Sequence, residues 1–182
     1  EARQFINWAN QHFPQVSINL YSGKDWMTDH LDQWSQEEAR ITGEKPLILP
    51  LLDPLLDTTK PLHKLLLIGE AEEIQALYHA ISNDDFPSTA FYLSKANYLE
   101  VTAKHVSKED ALVELANHYH LSLEEVLTMG DNFNDLPMLK KAGIGVAMGN
   151  APQEVKDGAA VVTKTNNENG AGQAVETYVD RK

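Results

Sequence analysis

The sequence predicts an α/β protein in two parts, on the strength of three observations. Residues 1–103 mix strands and helices with hairpin-like pairs, which suits an α+β layer better than a parallel sheet. After Val101, strands and helices alternate regularly, which implies parallel strands joined by right-handed crossovers. Between Thr128 and Leu139 lies a stretch whose residue types exceed what folding needs. An apolar run, Val126 to Met129, meets a glycine and a cluster of carboxylates and amides.

In the first part, Phe5, Ile6, Trp8 and Ala9 predict a short amphipathic helix over Ala2 to His12, ended by Pro14. Val16, Ile18 and Leu20 alternate with polar residues as a strand would, and Tyr21 to Trp26 reads as a turn into a second extended piece. Asp29 is the expected cap of a helix carrying Leu31 and Trp34. Pro46, Pro50, Pro54 and Pro61 break up the following stretch, in which Leu47 to Leu52 reads as buried or as a contact surface. Lys64 to Ile68 is a buried strand, and Ile74, Leu77, Tyr78 and Ile81 form the apolar face of a helix. Ala90 to Leu93 and Tyr98 to Val101 pair as a hairpin, with Asn97 at a turn position suited to unusual dihedrals.

In the second part, Ala111, Leu112, Leu115, Ala116 and Tyr119 share one helical face, and Ser122 with Glu125 forms a capping box. Val126 to Met129, Ile144 to Met148 and Ala160 to Thr163 are strands. Helices are expected from Asn134 to Gly143, over Ala151 to Lys156 and from about Ala171 to Val179.

Composition narrows the function. The 182 residues carry 42% hydrophobic residues and a formal net charge of -12 from 27 acidic and 15 basic residues. With no basic cluster, nucleic acid and anionic membrane are poor partners. There are no cysteines, so disulfides, thiolate metal sites and cysteine nucleophiles are excluded. No signal-peptide pattern or long apolar span is present, and a cytoplasmic location is expected.

Asp131 and Asp135 stand four residues apart across a turn at the carboxyl end of a strand, where ligands bind in open α/β sheets. Two such carboxylates suit Mg2+, which completes its shell with water and phosphate oxygens. Equally, Asp131 and Asn132 could be turn residues, with Asn134 or Asp135 capping the next helix. Lys108 stands at a helix start, where a positive charge opposes the helix dipole. Asn150 precedes Ala151-Pro152 and reads as a helix cap or as a residue approaching the same crevice.

Lys108 in Val106 to Leu112, then Gly130-Asp131-Asn132-Phe133-Asn134-Asp135, then Gly145 to Ala151, then Ala159 to Thr163 resemble the C-terminal half of haloacid dehalogenase superfamily phosphatases. The likeness is greatest to the Cof-type branch, whose cap is of type IIB, and it is specific over residues 98 to 180. It implies a Rossmannoid core portion over 104–182 and a cap over 1–103, with a mostly antiparallel sheet and helices on one face, that selects the substrate. The implied activity is Mg2+-dependent hydrolysis of small phosphorylated metabolites, sugar phosphates or nucleotides, through an aspartyl-phosphate intermediate. The resemblance gives Lys108 to the phosphate, Asp131 to the metal, Asp135 to a metal-bound water or the lysine, and Asn134 to the phosphate, with Asn132 and Asn150 close by. A sugar phosphomutase or dedicated sugar-phosphate phosphatase of the same fold is an alternative.

The family's nucleophile lies in an Asp-x-Asp motif on its first core strand, and this chain contains no Asp-x-Asp. The chain also opens at Glu1 inside a helical pattern. Both features lead to the expectation of an N-terminally truncated piece, unable to turn over by itself but able to bind phosphate or protein. Such a piece would self-associate through surface left by the missing strands.

Overall fold

Phe5, Ile6 and Ala9 are almost wholly buried on one side of the first helix, α1 (Ala2–His12), as their spacing predicts. The computed structural model describes residues 1–57, 59–82 and 84–179. It divides into two compact units, the first from Glu1 to Lys104 and the second from His105 onward.

The first unit is built on a sheet. Its strands are β1 (Ser17–Ser22), β2 (Asp25–Thr28), β3 (Leu47–Ile48), β4 (Lys64–Ile68), β5 (Thr89–Lys95) and β6 (Tyr98–Ala103). Among the described residues they lie in the order β3-β2-β1-β4-β6-β5. Every pairing is antiparallel except β2 with the two-residue β3. Alternation then assigns the faces. Ile18, Leu20, Leu65, Leu67, Leu99 and Val101 point to one side and form the main core with α1 and α3 (Ala71–Ala80), the latter through Ile74 and Leu77.

The other face departs from the expectation of helices on one side only. Leu66, Ile68 and Tyr98 make a smaller cluster there with Tyr21 and Trp34, and Trp34 belongs to α2 (Gln33–Thr42). The Tyr98 hydroxyl donates to Glu38 of α2 at 2.7 Å. Burial first and the Glu38 carboxylate second raise the Tyr98 phenol above its ordinary range. Periodicity in β4 carries both clusters, because every residue from Leu65 to Ile68 is buried.

Two local expectations change. Asp32, not Asp29, caps α2: its carboxylate accepts from the Ser35 N–H at 2.7 Å, and the Ser35 side chain accepts from the Asp32 N–H at 3.0 Å. Asp29 instead contacts His30, and Leu31 lies ahead of the helix, half exposed. Asp32→Ala is expected to cost about 1 kcal/mol, the usual worth of such a cap, measured as a shift in urea unfolding. Asn97 makes its turn without a positive φ; a register shift between Leu93 and Lys95 takes up the irregularity. In the Pro-punctuated stretch, Leu51 enters the core while Leu47 and Ile48 are about half exposed.

The second unit alternates as read. α4 (Lys108–His118) precedes β7 (Leu127–Gly130), α5 (Leu136–Lys141), β8 (Ile144–Ala147), α6 (Gln153–Gly158), β9 (Val161–Val162) and α7 (Gly170–Tyr178). β7, β8 and β9 are parallel and adjacent in that order. Leu139, Ala147, Ala151 and Val155 form the core. The Ser122 and Glu125 capping box is present, on a single 3-10 turn. The face predicted for α4 is only partly covered, since Leu112 and Ala116 are buried while Leu115 and Tyr119 are exposed. These residues, with Val126 to Met129 and Met138, line an apolar groove of about 510 Å³ beside β7. No helix among the described residues is long and apolar enough to cross a membrane.

Candidate active site

Asp135 organises the loop at the end of β7. Its side chain is almost wholly buried, and both oxygens are engaged. Oδ2 accepts the backbone N–H groups of Asp131 at 2.9 Å and of Asn132 at 3.0 Å. Oδ1 accepts from the Lys108 ammonium. Asp135 stands at the N-terminus of α5 but makes no side-chain cap there; it turns back beneath its own loop. The approach requires Gly130, because a Cβ at that position would lie 2.3 Å from the Asp135 Cβ.

Lys108 is the first residue of α4, whose cap is Ser107, accepting from the Asp110 N–H at 3.0 Å. A cation there opposes the helix dipole, and the carboxylate of Asp135 offsets that conflict. The lysine is half exposed, so its charge is held in place by a buried partner yet remains open to a ligand.

Asp131 is exposed at the mouth of the loop. Its Oδ2 accepts from the Asn150 amide at 3.2 Å. Asn132 turns inward locally, its amide oxygen accepting from the Phe133 N–H at 2.8 Å. The side-chain oxygen of Asn134 is buried with no hydrogen-bond partner among the described residues. Leaving such an oxygen unsatisfied costs on the order of 1–3 kcal/mol, so it marks a place for a ligand group.

The structure thus gathers Lys108, Asp131, Asn132, Asn134, Asp135 and Asn150 on the loops at the carboxyl ends of β7 and β8 and the start of α4. Among the described residues no group of three His, Cys, Asp or Glu is placed to hold a metal by protein ligands alone. A hard cation here would take Asp131 with the unpaired Asn134 oxygen and fill its shell with water and phosphate oxygens, while Asp135, whose two oxygens are already engaged, holds the lysine. That donor set fits Mg2+. The motif reading did not single out the Asn166 backbone, whose N–H donates to the Asn150 side chain at 3.0 Å. A readable signal lay nearby: Thr165 and Glu168 have capping-box spacing, and the box forms.

The family described as haloacid dehalogenase-like hydrolase matches residues 1–175. The chain belongs to this family. A protein of Haemophilus influenzae is 39% identical over 172 residues, covering 94% of this chain and 63% of that one. A Bacillus subtilis member, 5-amino-6-(5-phospho-D-ribitylamino)uracil phosphatase YcsE, is 41% identical over 86 residues, 47% of this chain and 34% of that protein. The crystal structure of a haloacid dehalogenase-like hydrolase from Bacteroides thetaiotaomicron superposes with a TM-score of 0.78 at 31% identity, covering 96% of this chain and 65% of that one. The chain therefore spans less than two thirds of the length of these haloacid dehalogenase-like relatives.

Proposed function

We propose that this chain supplies the metal and phosphate holders of a Mg2+-dependent phosphatase acting on small phosphorylated metabolites, sugar phosphates or nucleotides. The observation that carries the reading is the buried carboxylate of Asp135, which ties the Lys108 ammonium to the loop presenting Asp131. A cation-binding carboxylate and a fixed ammonium beside one another suit a phosphoryl group, whose oxygens carry negative charge through transfer.

In this reading Lys108 pairs with the substrate phosphate while Asp135 keeps its ammonium aimed. Asn134 offers its amide to the phosphate or to the metal shell. Mg2+, when bound at Asp131, supplies positive charge against the phosphoryl oxygens. Residues 1–103 act as the cap that selects the organic part of the substrate. The B. subtilis relative, named for a phosphorylated ribityl compound, favours a substrate of the sugar-phosphate kind.

The attacking carboxylate of an aspartyl-phosphate route is not among these 182 residues, which contain no Asp-x-Asp. Among the described residues β7 pairs with β8 on one side only, and the apolar groove runs beside it. A further strand laid there would bring a carboxylate to the Asp131 end of β7. The 182-residue chain by itself then binds without turnover.

The test is hydrolysis of p-nitrophenyl phosphate with Mg2+ by this chain and by a form extended at its N-terminus with an Asp-x-Asp strand. Activity is expected only in the extended form. Turnover by the 182 residues alone would overturn the nucleophile argument, and an inactive, folded extended form would overturn the phosphatase reading.

A further inference from the structure

Asn150 connects two loops that are distant in sequence. It follows β8, and its amide nitrogen donates to Asp131 Oδ2 at 3.2 Å while its amide oxygen accepts from the Asn166 N–H at 3.0 Å. The two ends of an amide are nearly the same size, so neighbours decide which way it faces. A backbone N–H can only donate. Asn166 therefore claims the oxygen, and the NH2 group is left facing Asp131.

The loops are built to meet there. The Gly149 N–H donates to the Lys164 carbonyl at 3.0 Å, and a Cβ on Gly149 would lie 2.8 Å from both the Lys164 carbonyl carbon and the Thr165 nitrogen. Only glycine permits that approach. Glu168 accepts from the Thr165 hydroxyl at 2.6 Å and the Thr165 N–H at 3.2 Å, which closes the turn bearing Asn166. On the other side, the Met148 N–H donates to the Gly130 carbonyl at 2.9 Å, joining the Asn150 loop to the end of β7.

We propose that Asn150 is a positioning residue for Asp131: its orientation is set by the Asn166 N–H, and its NH2 group holds the Asp131 carboxylate in the direction that ligates the cation. This rests on the reading of Asp131 as a Mg2+ ligand. Hydrogen-bond partners that orient metal ligands are commonly worth 10–100-fold in metal affinity. Asn150 and Asp131 are both exposed, which places the expected effect near tenfold.

The link to a backbone group allows a discriminating pair of variants. Asn166→Pro removes the N–H but keeps the Asn150 side chain. Asn166 is the first residue of a 3-10 turn, and Thr165 before it has φ -69 and ψ 164, a conformation that a following proline accepts. Asn166→Ala keeps the N–H.

Mn2+ binding to the extended protein, read by electron paramagnetic resonance of the free ion, is expected to weaken about tenfold in Asn166→Pro and in Asn150→Leu, and to stay within twofold of the parent in Asn166→Ala. Hydrolysis of p-nitrophenyl phosphate should recover its kcat at saturating Mg2+ in both weakened variants. If the parent binds Mn2+ and either weakened variant binds equally well, the positioning role is overturned while the phosphatase reading stands. If the parent shows no Mn2+ binding that Asp131→Ala removes, the metal reading fails and takes this inference with it. Asn150 is exposed, so Asn150→Leu carries the test should Asn166→Pro fail to fold.

Discussion

Asp131→Ala is expected to lower kcat/KM for p-nitrophenyl phosphate by at least about a thousandfold in the extended protein, with little change in stability. The magnitude follows from the several kcal/mol of charge stabilisation that a bound cation gives a transferring phosphoryl group, about 1.4 kcal/mol for each factor of ten. Stability is spared because the side chain is exposed and its Asn150 contact lies at the surface. Steady-state kinetics beside a urea melt separates the two. A variant retaining even a tenth of the activity would remove Asp131 from the metal site, whereas one that unfolds early would show a structural role that its exposure does not suggest.

Asp135→Asn is expected to behave in the opposite manner, with stability as well as turnover falling. The carboxylate meets three donors: two backbone N–H groups and the Lys108 ammonium. An amide has one accepting oxygen, and its NH2 group would face donors. Hydrogen bonds to a charged group are worth about 1.5–3 kcal/mol each, and a buried donor left unpaired costs a similar amount. The exposure of Lys108 lets water take over part of its loss, so about 3 kcal/mol is expected for the whole. Urea unfolding of the 182-residue chain measures this without any substrate. A loss under 1 kcal/mol would show that the loop does not depend on the carboxylate.

Much of the fold was legible because the chain's periodicities are regular. Phe5, Ile6 and Ala9 announced α1, and the apolar run from Leu65 to Ile68 announced a buried strand. That β7, β8 and β9 run parallel followed from alternation alone. The helix on the second face was not legible, because Trp34 and Glu38 have no spacing that tells which side of a sheet they meet. The choice between Asp29 and Asp32 turned on Ser35, whose reciprocal bond completes the cap.

In the site, residue types and spacing singled out Asp131, Asp135 and Lys108, but spacing is silent about burial. It could not tell that one carboxylate faces water while the other lies beneath the loop, nor that Asp135 leaves its helix uncapped. The Asn150 to Asn166 contact spans sixteen positions between two loops, a separation that no local pattern records.

The inward turn of Asp135 also bears on the entropy of ligand binding. The bonds that shape the 131–135 loop are made by the chain to itself, so the loss of conformational freedom on shaping it belongs to folding. A phosphate arriving at Lys108 would find the ammonium already held by Asp135 and would give up little of its binding energy to order it. Under the proposed function the same economy would restrain selectivity: a loop that need not adapt would favour the phosphoryl group common to many metabolites, and discrimination among them would come from elsewhere in the protein.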